Sequence, residues 1–596
     1  MIVYGDPSRL EALERCVEIL NLMLEQAEEA EPSPSRFRGL LERAGELEQA
    51  LFDHPEALGP DRIAQARGLA AVRRATSLAA TAFERALEGS LTDARVAVRG
   101  ARTALGPLRG RRASVRIKVP EGFAFYRLYL QGFRNAAILW ADDHESAAGR
   151  DVLVVGIRSI GTTLSAVVAS ALRSRGFRVR RATVRPTGHP FERRLEGTRF
   201  PRASFGLVVD EGPGLSGSSL LCAAEAMHRA GVGEVAIVPA HAHGPGGRPG
   251  GETRGRWSRF ACYPADATEV RFRGRGLPDE LWAGLRPVIT GKLERVADVG
   301  GGAWRAFHYT GMSAWPAVCR ALERPKLLCA ARDGRRVLFK FCGFATAPGL
   351  ERTLASMVAR RGAPLAALGF APRLLGEAHG FVAWEWVEGR PLGAQDASFP
   401  VLERLGAYVA HAAGPALTTT RADGARARLE TMLLSNAREC LGEDGAAAAV
   451  SELRRIPAAA GTPSAGDGHM APHEWIRSRS GAIVKTDIGG HDVDHTWTGE
   501  QPVHWDLAGA LEEWDLRGAQ AEALIRGYEE AGGHTVEPAT LRAYRAAYAA
   551  HRAGQAAFFA PLESDAMERD RLERDFERWR EQLVRAFAGE PSGSLR

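Results

Sequence analysis

The chain has 596 residues, of which 45% are hydrophobic and 25% charged, and its formal net charge is +6. This composition is ordinary for folded proteins and excludes a largely disordered chain. At roughly 100–200 residues per domain, the length predicts about three or four domains. The basic excess is too small, over so long a chain, to indicate a nucleic-acid-binding protein.

Lysine is scarce in this chain. Of the 78 Lys and Arg residues only five are lysine, at positions 118, 292, 326, 340 and 485. A lysine inside a motif is therefore more informative here than an arginine.

Targeting and redox features are absent from the sequence. No stretch reaches the ~20 apolar residues of a membrane span, and the first residues lack the basic region and apolar run of a secretory signal. The seven cysteines are scattered and form no CxxC motif, which fits a reducing compartment. We therefore expect a cytoplasmic protein that acts on small-molecule substrates, with neither a membrane nor a specific nucleic acid as partner. A homodimer is compatible with the sequence.

Residues 1–112 have the pattern of amphipathic helices. Apolar residues recur at three- and four-residue steps, as in the stripe Leu10, Leu13, Val17, Leu20 and Leu24. This segment contains no catalytic motif. The pattern predicts an α-helical N-terminal domain for packing or oligomerisation.

The period changes in residues 113–295. Short apolar runs at 151–157, 205–210 and 234–239 are typical of strands that are covered on both faces. Helical patterns at 162–176 and 218–231 lie between such runs, and each ends at a glycine or one residue before it. Strands that alternate with helices over short connections predict a parallel, doubly wound α/β sheet.

Residues 296–596 have a different order of elements. Two strand patterns flank an Asp-Gly turn within 325–341, and another strand runs into a turn within 380–392. Residues 401–455 and 507–590 are mainly helical in pattern. We expect an α+β domain, with a small β-rich lobe followed by a larger helical lobe.

The most specific motif lies at residues 206–219, with the sequence GLVVDEGPGLSGSS. A buried strand ends at Asp210 and Glu211, and a loop of glycines and serines then opens a helix. Ligands bind at the carboxyl ends of strands in open α/β sheets, and free N–H groups at a helix start attract anions. Two acids beside such a loop would repel phosphate, so they suit sugar hydroxyls or Mg²⁺ instead.

This segment resembles the phosphoribosyl-pyrophosphate signature of type I phosphoribosyltransferases. The resemblance covers roughly residues 115–260. It implies that Asp210 and Glu211 hold the ribose hydroxyls and take part in Mg²⁺ binding, and that the loop holds the 5′-phosphate. The loop residues concerned are Gly214, Ser216, Gly217, Ser218 and Ser219. Serines replace the usual threonines, and Glu211 replaces the usual second Asp.

Two further segments lie in the order that this family has. Residues 155–164 resemble its pyrophosphate loop, through Gly156, Arg158 and Gly161. Residues 183–195 lie where the family carries a flexible closing loop, and there Arg185, with His189, Arg193 or Arg194, would cover the pyrophosphate. The resemblance implies displacement of pyrophosphate from ribose C1 by a nitrogenous acceptor. Phe123, Phe125 and Tyr126 would stack on the base or pack in the core.

Other interpretations of residues 206–219 remain open. Residues 212–217 match the text pattern GxGxxG, but a dinucleotide site needs an acid about 20 residues later, after the next strand, and none follows residue 239 there. A Walker A loop is excluded because no GK[ST] follows. A tight turn without a ligand is the simplest alternative. The resembled family also includes regulators that bind the ligand without turnover.

A second constellation begins at Lys340, on a predicted strand, with Glu351 on the helix after it. The segment 370–392 follows, with an apolar-x-Glu-x-x-x-Gly hinge pattern at Glu385. These residues resemble the nucleotide-binding lobe of aminoglycoside-phosphotransferase-type kinases, over about residues 300–590. The resemblance implies that Lys340 contacts the ATP phosphates and pairs with Glu351, and that residues 385–387 contact adenine.

The catalytic loop departs from the family pattern His-Gly-Asp-x-x-x-x-Asn. The best local fit is Asp467-Gly468-His469, which puts His469 at the catalytic Asp position and Glu474 at the metal-binding Asn position. Asp487 would be the second Mg²⁺ ligand. Phosphoryl transfer depends mostly on positioning and charge neutralisation, so the change from Asp to His does not by itself exclude activity.

Two other uses of these residues stay open. The lobe could bind nucleotide without catalysis. Alternatively, the pairs His469/His473 and His491/His495, with Asp487, Asp492 and Asp494 nearby, could bind a metal. Overall, the sequence predicts a helical domain (1–112), a phosphoribosyltransferase-like domain (113–295) and a kinase-like domain (296–596). The predicted ligands are phosphoribosyl pyrophosphate, ATP and Mg²⁺. A non-enzymatic sensor that binds both nucleotide-type ligands is the competing hypothesis.

Overall fold

The computed structural model describes residues 8–29, 34–189, 191–214, 216–246, 251–266, 270–272, 274–286, 288–289, 291–344, 353–415, 422–457, 463–492, 494–496 and 498–589. The chain forms two compact units. The N-terminal unit is Asp6–Leu277, and the C-terminal unit is Pro278–Arg596.

The N-terminal unit contains helices, one large sheet and smaller sheets. Its helices are α1 Leu13–Glu29, α2 Pro34–Asp53, α3 Arg62–Leu87, α4 Leu91–Ala104, α5 Glu121–Ala124, α6 Leu130–Asp143, α7 Gly161–Ser174, α8 Ser218–Arg229 and α9 Gly251–Trp257. Its strands are β1 Ser8–Ala12, β2 Ser114–Lys118, β3 Asp151–Ile157, β4 Arg178–Val184, β5 Phe205–Val209, β6 Glu234–Val238, β7 Ala261–Cys262, β8 Arg271–Phe272 and β9 Arg275–Gly276.

The main sheet of this unit has the strand order β4-β3-β5-β6-β7, and every neighbouring pair is parallel. This confirms the predicted parallel α/β sheet. The apolar runs of β3 and β5 are buried almost throughout, as expected for strands covered on both faces. Gly156 of β3 is level with Val209 of β5 and Thr183 of β4. The loops after these three strands therefore leave the sheet at one edge.

The first helical stripe begins later than predicted. Residues 8–12 form β1, which pairs antiparallel with β2, instead of the first turns of a helix. Leu10 is consequently 65% exposed, whereas Leu13 and Val17 are buried on α1. The prediction was wrong here because pairing with a distant strand outweighed local helical periodicity.

The N-terminal helices lie in the same compact unit as the parallel sheet. Arg181 of β4 forms a buried ion pair with Glu48 of α2, at 2.6 Å. The predicted boundary at residue 112 falls inside this unit, and the division into three domains stays a prediction.

The C-terminal unit contains a β-rich part followed by helices. Its helices are α10 Leu277–Gly284, α11 Leu354–Ala367, α12 Phe399–Ala412, α13 Ala422–Leu453 (interrupted at Gly442), α14 His504–Glu513, α15 Ala519–Glu530, α16 Pro538–Phe559 and α17 Ala566–Ala588. Its strands are β10 Leu293–Asp298, β11 Lys326–Ala331, β12 Arg336–Phe341, β13 Leu374–Ala378, β14 Phe381–Glu385, β15 Gly389–Pro391, β16 Gly414–Pro415, β17 Ser464–Ala465, β18 Trp475–Ser478 and β19 Ile483–Lys485.

An antiparallel sheet of five strands, in the order β10-β11-β12-β14-β13, forms the β-rich part. Helix α11 follows β12 and precedes β13. The helices after residue 399 share one apolar core, which includes Trp475, Trp505 and Trp579. A small sheet, β15-β18-β19, presents the loops that follow β17 and β19. The mixed α/β and α+β character of the chain was predicted correctly.

Among the described residues, no helix combines the length and the apolar character that a membrane crossing requires.

Candidate functional site

Lys340 and Asp487 meet in a cleft of the C-terminal unit, although 147 positions separate them. Lys340 lies on β12 directly opposite Lys326 of β11. Like charges at opposed positions repel, and Asp487, which follows β19, relieves this repulsion by pairing with both lysines. Its Oδ2 lies 3.2 Å from the Lys326 Nζ. Burial opposes ionisation of Asp487, but Lys340 and Lys326 hold its pKa well below its usual range.

Asp506 holds the loop of residues 467–474 in place. The carboxylate of Asp506 accepts the backbone N–H groups of Asp467 and Gly468, each at 2.8 Å. The next residue, His469, places its Nδ1 2.5 Å from the Glu474 Oε1. The same loop therefore presents a rigid imidazole–carboxylate pair toward the cleft.

Lys485 ties this loop to β19. Its side chain is fully buried and contacts the Asp467 Oδ1 at 3.0 Å and the Glu474 Oε2 at 2.8 Å. Burial would raise the pKa of Glu474, but His469 and Lys485 lower it below its usual range. Burial would lower the pKa of His469, but Glu474 and Glu513 raise it to about 9.

The cleft is large and has one apolar wall. It encloses about 1420 Å³, with open solvent at its mouth included. The apolar wall contains Leu338, Trp384, Val387 and Ile476. Aromatic residues cover this region, because Trp304 stacks on His473 at 5.6 Å and His308 stacks on Trp386 at 4.9 Å between ring centroids. These features suit a flat heteroaromatic ring next to a charged group.

The predicted residues of this site reach different places. Lys340, His469, Glu474 and Asp487 all line the cleft, and Glu385 lines its rim. The Glu385 side chain is exposed and pairs with Arg373 at 3.2 Å, and its role as a hinge stays a prediction. Glu351 lies outside the described residues, and its pairing with Lys340 stays a prediction.

Sequence reasoning missed Lys326 and the part played by Asp467. The scarcity of lysine was the available signal, because three of the five lysines of the chain, Lys326, Lys340 and Lys485, meet around Asp487 and Glu474.

The two histidine pairs considered for metal binding do not act as pairs. His495 contacts Asp494, which binds Arg324 at 2.7 Å, and Asp492 binds Arg361. Instead, one member of each pair, His469 and His491, comes together with Glu474. Their ligand atoms all lie within 4.8 Å of one another.

The N-terminal unit brings a second group of predicted residues together. Asp210 and Glu211 follow β5, and the loop from Arg158 to Gly161 follows β3, at the same edge of the sheet. The two loops are in close contact: a Cβ on Gly161 would lie 2.8 Å from the Val209 carbonyl oxygen and 3.2 Å from the Asp210 Oδ1. A Cβ on Gly156 would lie 2.0 Å from the Gly161 carbonyl oxygen. Only glycine fits at either position.

Burial dominates the ionisation of the two acids. It raises the pKa of Asp210 to about 7, with Arg185 opposing and Glu121 adding to the shift. Burial and the charge of Asp210 raise the pKa of Glu211 well above its usual range. Glu211 accepts the backbone N–H of Gly122, while its Oε2 is buried without a hydrogen-bond partner among the described residues. Such a carboxyl group is poised to gain a ligand.

The phosphate-loop residues lie between β5 and α8. Gly214 and Gly217 have φ values of 57° and 66°, which favour glycine. Ser216 contacts Ser218 at 2.9 Å between hydroxyl oxygens, and α8 begins at Ser218, with Ser219 next. This is a glycine–serine turn that leads into a helix start, as the sequence predicted.

Two predicted anion-binding arginines already have an anionic partner. Asp53, the last residue of α2, pairs with Arg185 and lies 3.3 Å from the Nε of Arg158. Arg158 also donates to the carbonyl oxygen of Phe52 at 3.1 Å. Burial opposes ionisation of Asp53, but Arg185 and Arg158 lower its pKa.

The remaining predicted residues of this unit take other positions. Arg193 donates to the carbonyl oxygen of Gly188 at 2.7 Å, and His189 accepts from the backbone of Phe191. The backbone of Arg194 pairs with that of Thr187. Of the candidate base-stacking residues, Phe123 and Phe125 pack in the core, and Tyr126 is 41% exposed.

Comparisons with known proteins leave the family open. No family model matches the chain, and no curated protein is similar to it. Choline kinase LicA from Streptococcus pneumoniae is similar over 50% of this chain and 95% of its own, at 12% identity and a TM-score of 0.32. Macrolide 2′-phosphotransferase MphH from Brachybacterium faecium is similar over 50% of this chain and 98% of its own, at 15% identity and a TM-score of 0.30.

A choline/ethanolamine kinase family protein from Mesorhizobium loti is similar over 50% of this chain and 92% of its own, at 17% identity and a TM-score of 0.31. Scores this low establish neither a shared fold nor a shared activity.

Proposed function

We propose that the C-terminal unit binds ATP and transfers its γ-phosphoryl group to a small molecule. The observation that carries this proposal is the meeting of Lys340 and Asp487 inside a cleft with an apolar, aromatic-covered wall. A strand lysine and a loop aspartate on facing walls are the two charges that a nucleoside triphosphate and its metal need.

Each wall of the cleft has a separate part in this proposal. The adenine ring lies against Leu338 and Ile476 and contacts the backbone of residues 385–387. Lys340, with Lys326 beside it, exchanges the Asp487 carboxylate for the phosphate oxygens. His469 bears a positive charge at neutral pH, because its pKa is raised to about 9. It therefore stabilises charge on the transferred group instead of accepting the proton of the acceptor hydroxyl.

The donor set also fits Mg²⁺. Asp487 and Glu474 offer carboxylate oxygens, the ligands that Mg²⁺ prefers, and both line the cleft. They would hold the ion against the phosphates of ATP, where it would neutralise their charge. The three nearby lysines keep both acids ionised before the nucleotide arrives.

ATP binding by the Lys340→Ala variant tests this proposal. We expect isothermal titration calorimetry with Mg-ATP to show at least about 100-fold weaker binding, because the phosphates lose a buried ammonium. Lys292→Ala is the matched control, since Lys292 is an exposed lysine of the same unit. Equal affinities for wild type and Lys340→Ala would contradict the proposal.

We propose, as a second function, that the N-terminal unit binds phosphoribosyl pyrophosphate and transfers its phosphoribosyl group to a nitrogenous acceptor. The supporting observation is the pair of acids Asp210 and Glu211, which lies between two loops at one sheet edge and has a buried Glu211 Oε2 that is unpartnered within the described part of the chain. The acids suit ribose hydroxyls, the turn at 214–219 suits the 5′-phosphate, and Arg158 and Arg185 suit the pyrophosphate.

In this second site the donor chemistry fits Mg²⁺ only at Asp210 and Glu211, whose oxygens would hold it beside the ribose. The chain's own residues orient the sugar and neutralise the leaving pyrophosphate, while the buried edge excludes water from C1.

Titration of phosphoribosyl pyrophosphate with Mg²⁺ tests the second function. We expect binding to wild type and at least about tenfold weaker binding to Asp210→Asn/Glu211→Gln, with ATP binding unchanged. Asp151→Asn is the control, since Asp151 begins β3 at the opposite edge of the sheet. The absence of binding to the intact chain would contradict the site assignment. Binding without pyrophosphate release, over a panel of nitrogenous bases, would favour the sensor hypothesis.

A further inference from the structure

Three side chains from two separate loops converge in the cleft of the C-terminal unit. His469 and Glu474 come from the loop before β18, and His491 comes from the loop after β19. One ligand atom of each lies within 4.8 Å of the other two. Two imidazoles and one carboxylate are the donors of many zinc and other transition-metal sites.

Each of the three side chains is held in place by a second partner. The Nδ1 of His491 lies 3.2 Å from the carbonyl oxygen of Asp467, so it carries the proton and the Nε2 keeps its lone pair. The Oε2 of Glu474 is bound to Lys485 at 2.8 Å, and the Oε1 is directed at His469. The Nε2 of His469 lies 3.4 Å from the Glu513 Oε1.

This arrangement of partners is that of a metal site. Histidine ligands almost always donate their other ring N–H to a carboxylate or a backbone carbonyl, which fixes the ring. Here His491 does so to a carbonyl, and the Nε2 of His469 lies 3.4 Å from the Glu513 Oε1. One ligand atom each of His469, Glu474 and His491 is thereby held within 4.8 Å of the other two.

The close contact of His469 with Glu474 can be compared with the spacing of ligand atoms around a metal ion. The His469 Nδ1 and the Glu474 Oε1 are 2.5 Å apart and are joined by one hydrogen bond. Ligand atoms of a tetrahedral zinc ion with bonds of about 2.0–2.1 Å lie roughly 3.3 Å apart, so a small opening of the pair lets a cation replace the proton. His491 would complete a third coordination position, and the fourth would open toward the cleft.

We infer that His469, Glu474 and His491 form a binding site for a divalent metal ion of the zinc or cobalt class. This deepens the proposed phosphotransferase site and rests on that function only for the use of the ion. The open position would take a phosphate or acceptor oxygen, and the ion would polarise it as a Lewis acid. When this ion is bound it replaces the proton of His469, so the ion and not the imidazolium stabilises charge on the transferred group. Asp487 then holds the Mg²⁺ that accompanies ATP without Glu474.

Imidazole is what separates this site from an ordinary Mg²⁺ site. Mg²⁺ takes oxygen ligands and keeps several waters, whereas imidazole suits zinc, copper, iron and nickel. We therefore expect the ion to bind without nucleotide and in preference to Mg²⁺.

Metal binding by the full-length chain, after removal of metals with a chelator, tests the inference. Zn²⁺ is titrated in competition with a chromophoric chelator, without ATP. We expect one tight site per chain, with at least about 100-fold preference over Mg²⁺. His491→Ala and Glu474→Gln should each weaken it by at least about 100-fold. His411→Ala, an exposed histidine of the same unit, should leave the affinity unchanged.

Co²⁺ supplies a readout that depends on the ligands themselves. Wild type loaded with Co²⁺ should show visible absorption typical of a four- or five-coordinate nitrogen–oxygen site, and His491→Ala should lack it. If His491→Ala does not fold by circular dichroism, His491→Gln replaces it, because it keeps a polar side chain of similar size.

The outcomes separate this inference from the proposed function. No tight Zn²⁺ site in wild type, or equal affinity in wild type, His491→Ala and Glu474→Gln, would overturn the inference whether or not ATP binds. A Zn²⁺ site that is lost in both variants would support it, even if Lys340→Ala binds ATP like wild type and thereby contradicts the phosphotransferase proposal.

Discussion

The two candidate sites of this chain treat their acidic residues in opposite ways. In the C-terminal cleft, Asp487 and Glu474 lie beside lysines, and their pKa values are lowered. In the N-terminal unit, burial dominates and raises the pKa of Asp210 to about 7 and that of Glu211 well above its usual range. The first site is charged before a ligand arrives, whereas the second gains its full charge only when a ligand compensates it.

This contrast indicates different ligands. Acids that lysines keep ionised can bind a metal ion in place of a lysine ammonium. They can also hold the lysines in position for a phosphate. Acids without such compensation are stabilised by sugar hydroxyls or a cation. The same residue type therefore has a different chemical use in each unit, and substitutions can test whether compensation is the cause.

The largest effect is expected from Lys485→Met, which removes the compensation from the cleft. Lys485 is fully buried between Asp467 and Glu474. Removing one partner of a buried ion pair costs about 3–5 kcal/mol, because the remaining charges are uncompensated. We expect this loss in urea unfolding of the C-terminal unit, followed by hydrogen exchange in β18 and β19.

Two further variants make this result specific. Lys292→Met removes an exposed lysine of the same unit and should change stability by less than about 0.5 kcal/mol. Lys485→Met/Glu474→Gln should be less destabilised than the sum of the single variants, because both charges are gone. Additive effects would show that Lys485 does not compensate Glu474.

A smaller effect of opposite sign is expected from Asp210→Asn. The folded-state pKa of Asp210 is about 7, against an ordinary value of 3.8. Between these values the folded protein keeps a proton that the unfolded chain releases, so stability falls as pH rises and the loss is complete above about pH 7. Asp210→Asn lacks this loss and should be more stable than wild type at pH 8, by up to about 4 kcal/mol.

Hydrogen exchange of the β3 and β5 amides at pH 5 and pH 8, corrected for intrinsic rates, measures this difference in the N-terminal unit. Asp151→Asn is the control, because Asp151 pairs with Arg178 at the exposed start of β3. The same pH dependence in wild type and Asp210→Asn would mean that burying the ionised Asp210 carboxylate does not lower the stability of the folded protein.

The sequence predicted the parts of both sites that depend on local pattern. The bounds of β3, a continuous apolar run, were predicted to the residue at 151–157, and the acids at the end of β5 follow from the same kind of run. The Asp-Gly turn between β11 and β12 was equally local.

Features that depend on distant residues could not be predicted in this way. The pairing of β1 with β2, the meeting of Lys326 with Asp487, and the contact of His491 with the loop at 467 each join segments that no periodicity connects. Asp53 is another such case. Nothing in a helical stripe shows that its last residue reaches two arginines more than 100 positions away.

The smallest effect is expected from Asp53→Asn, which tests whether the Asp53 carboxylate competes with a bound anion for the arginines. Asp53 occupies Arg185 and Arg158, the two side chains proposed to bind pyrophosphate. A partly exposed ion pair contributes up to about 1 kcal/mol, so its loss should strengthen the binding of inorganic pyrophosphate about fivefold. Isothermal titration calorimetry measures this directly. Asp61→Asn, which removes a charge at the N-cap of α3 and keeps a capping side chain, should leave the affinity unchanged. Weaker binding by Asp53→Asn would show that the Asp53 carboxylate holds Arg158 and Arg185 in position for the anion and does not compete with the anion for them.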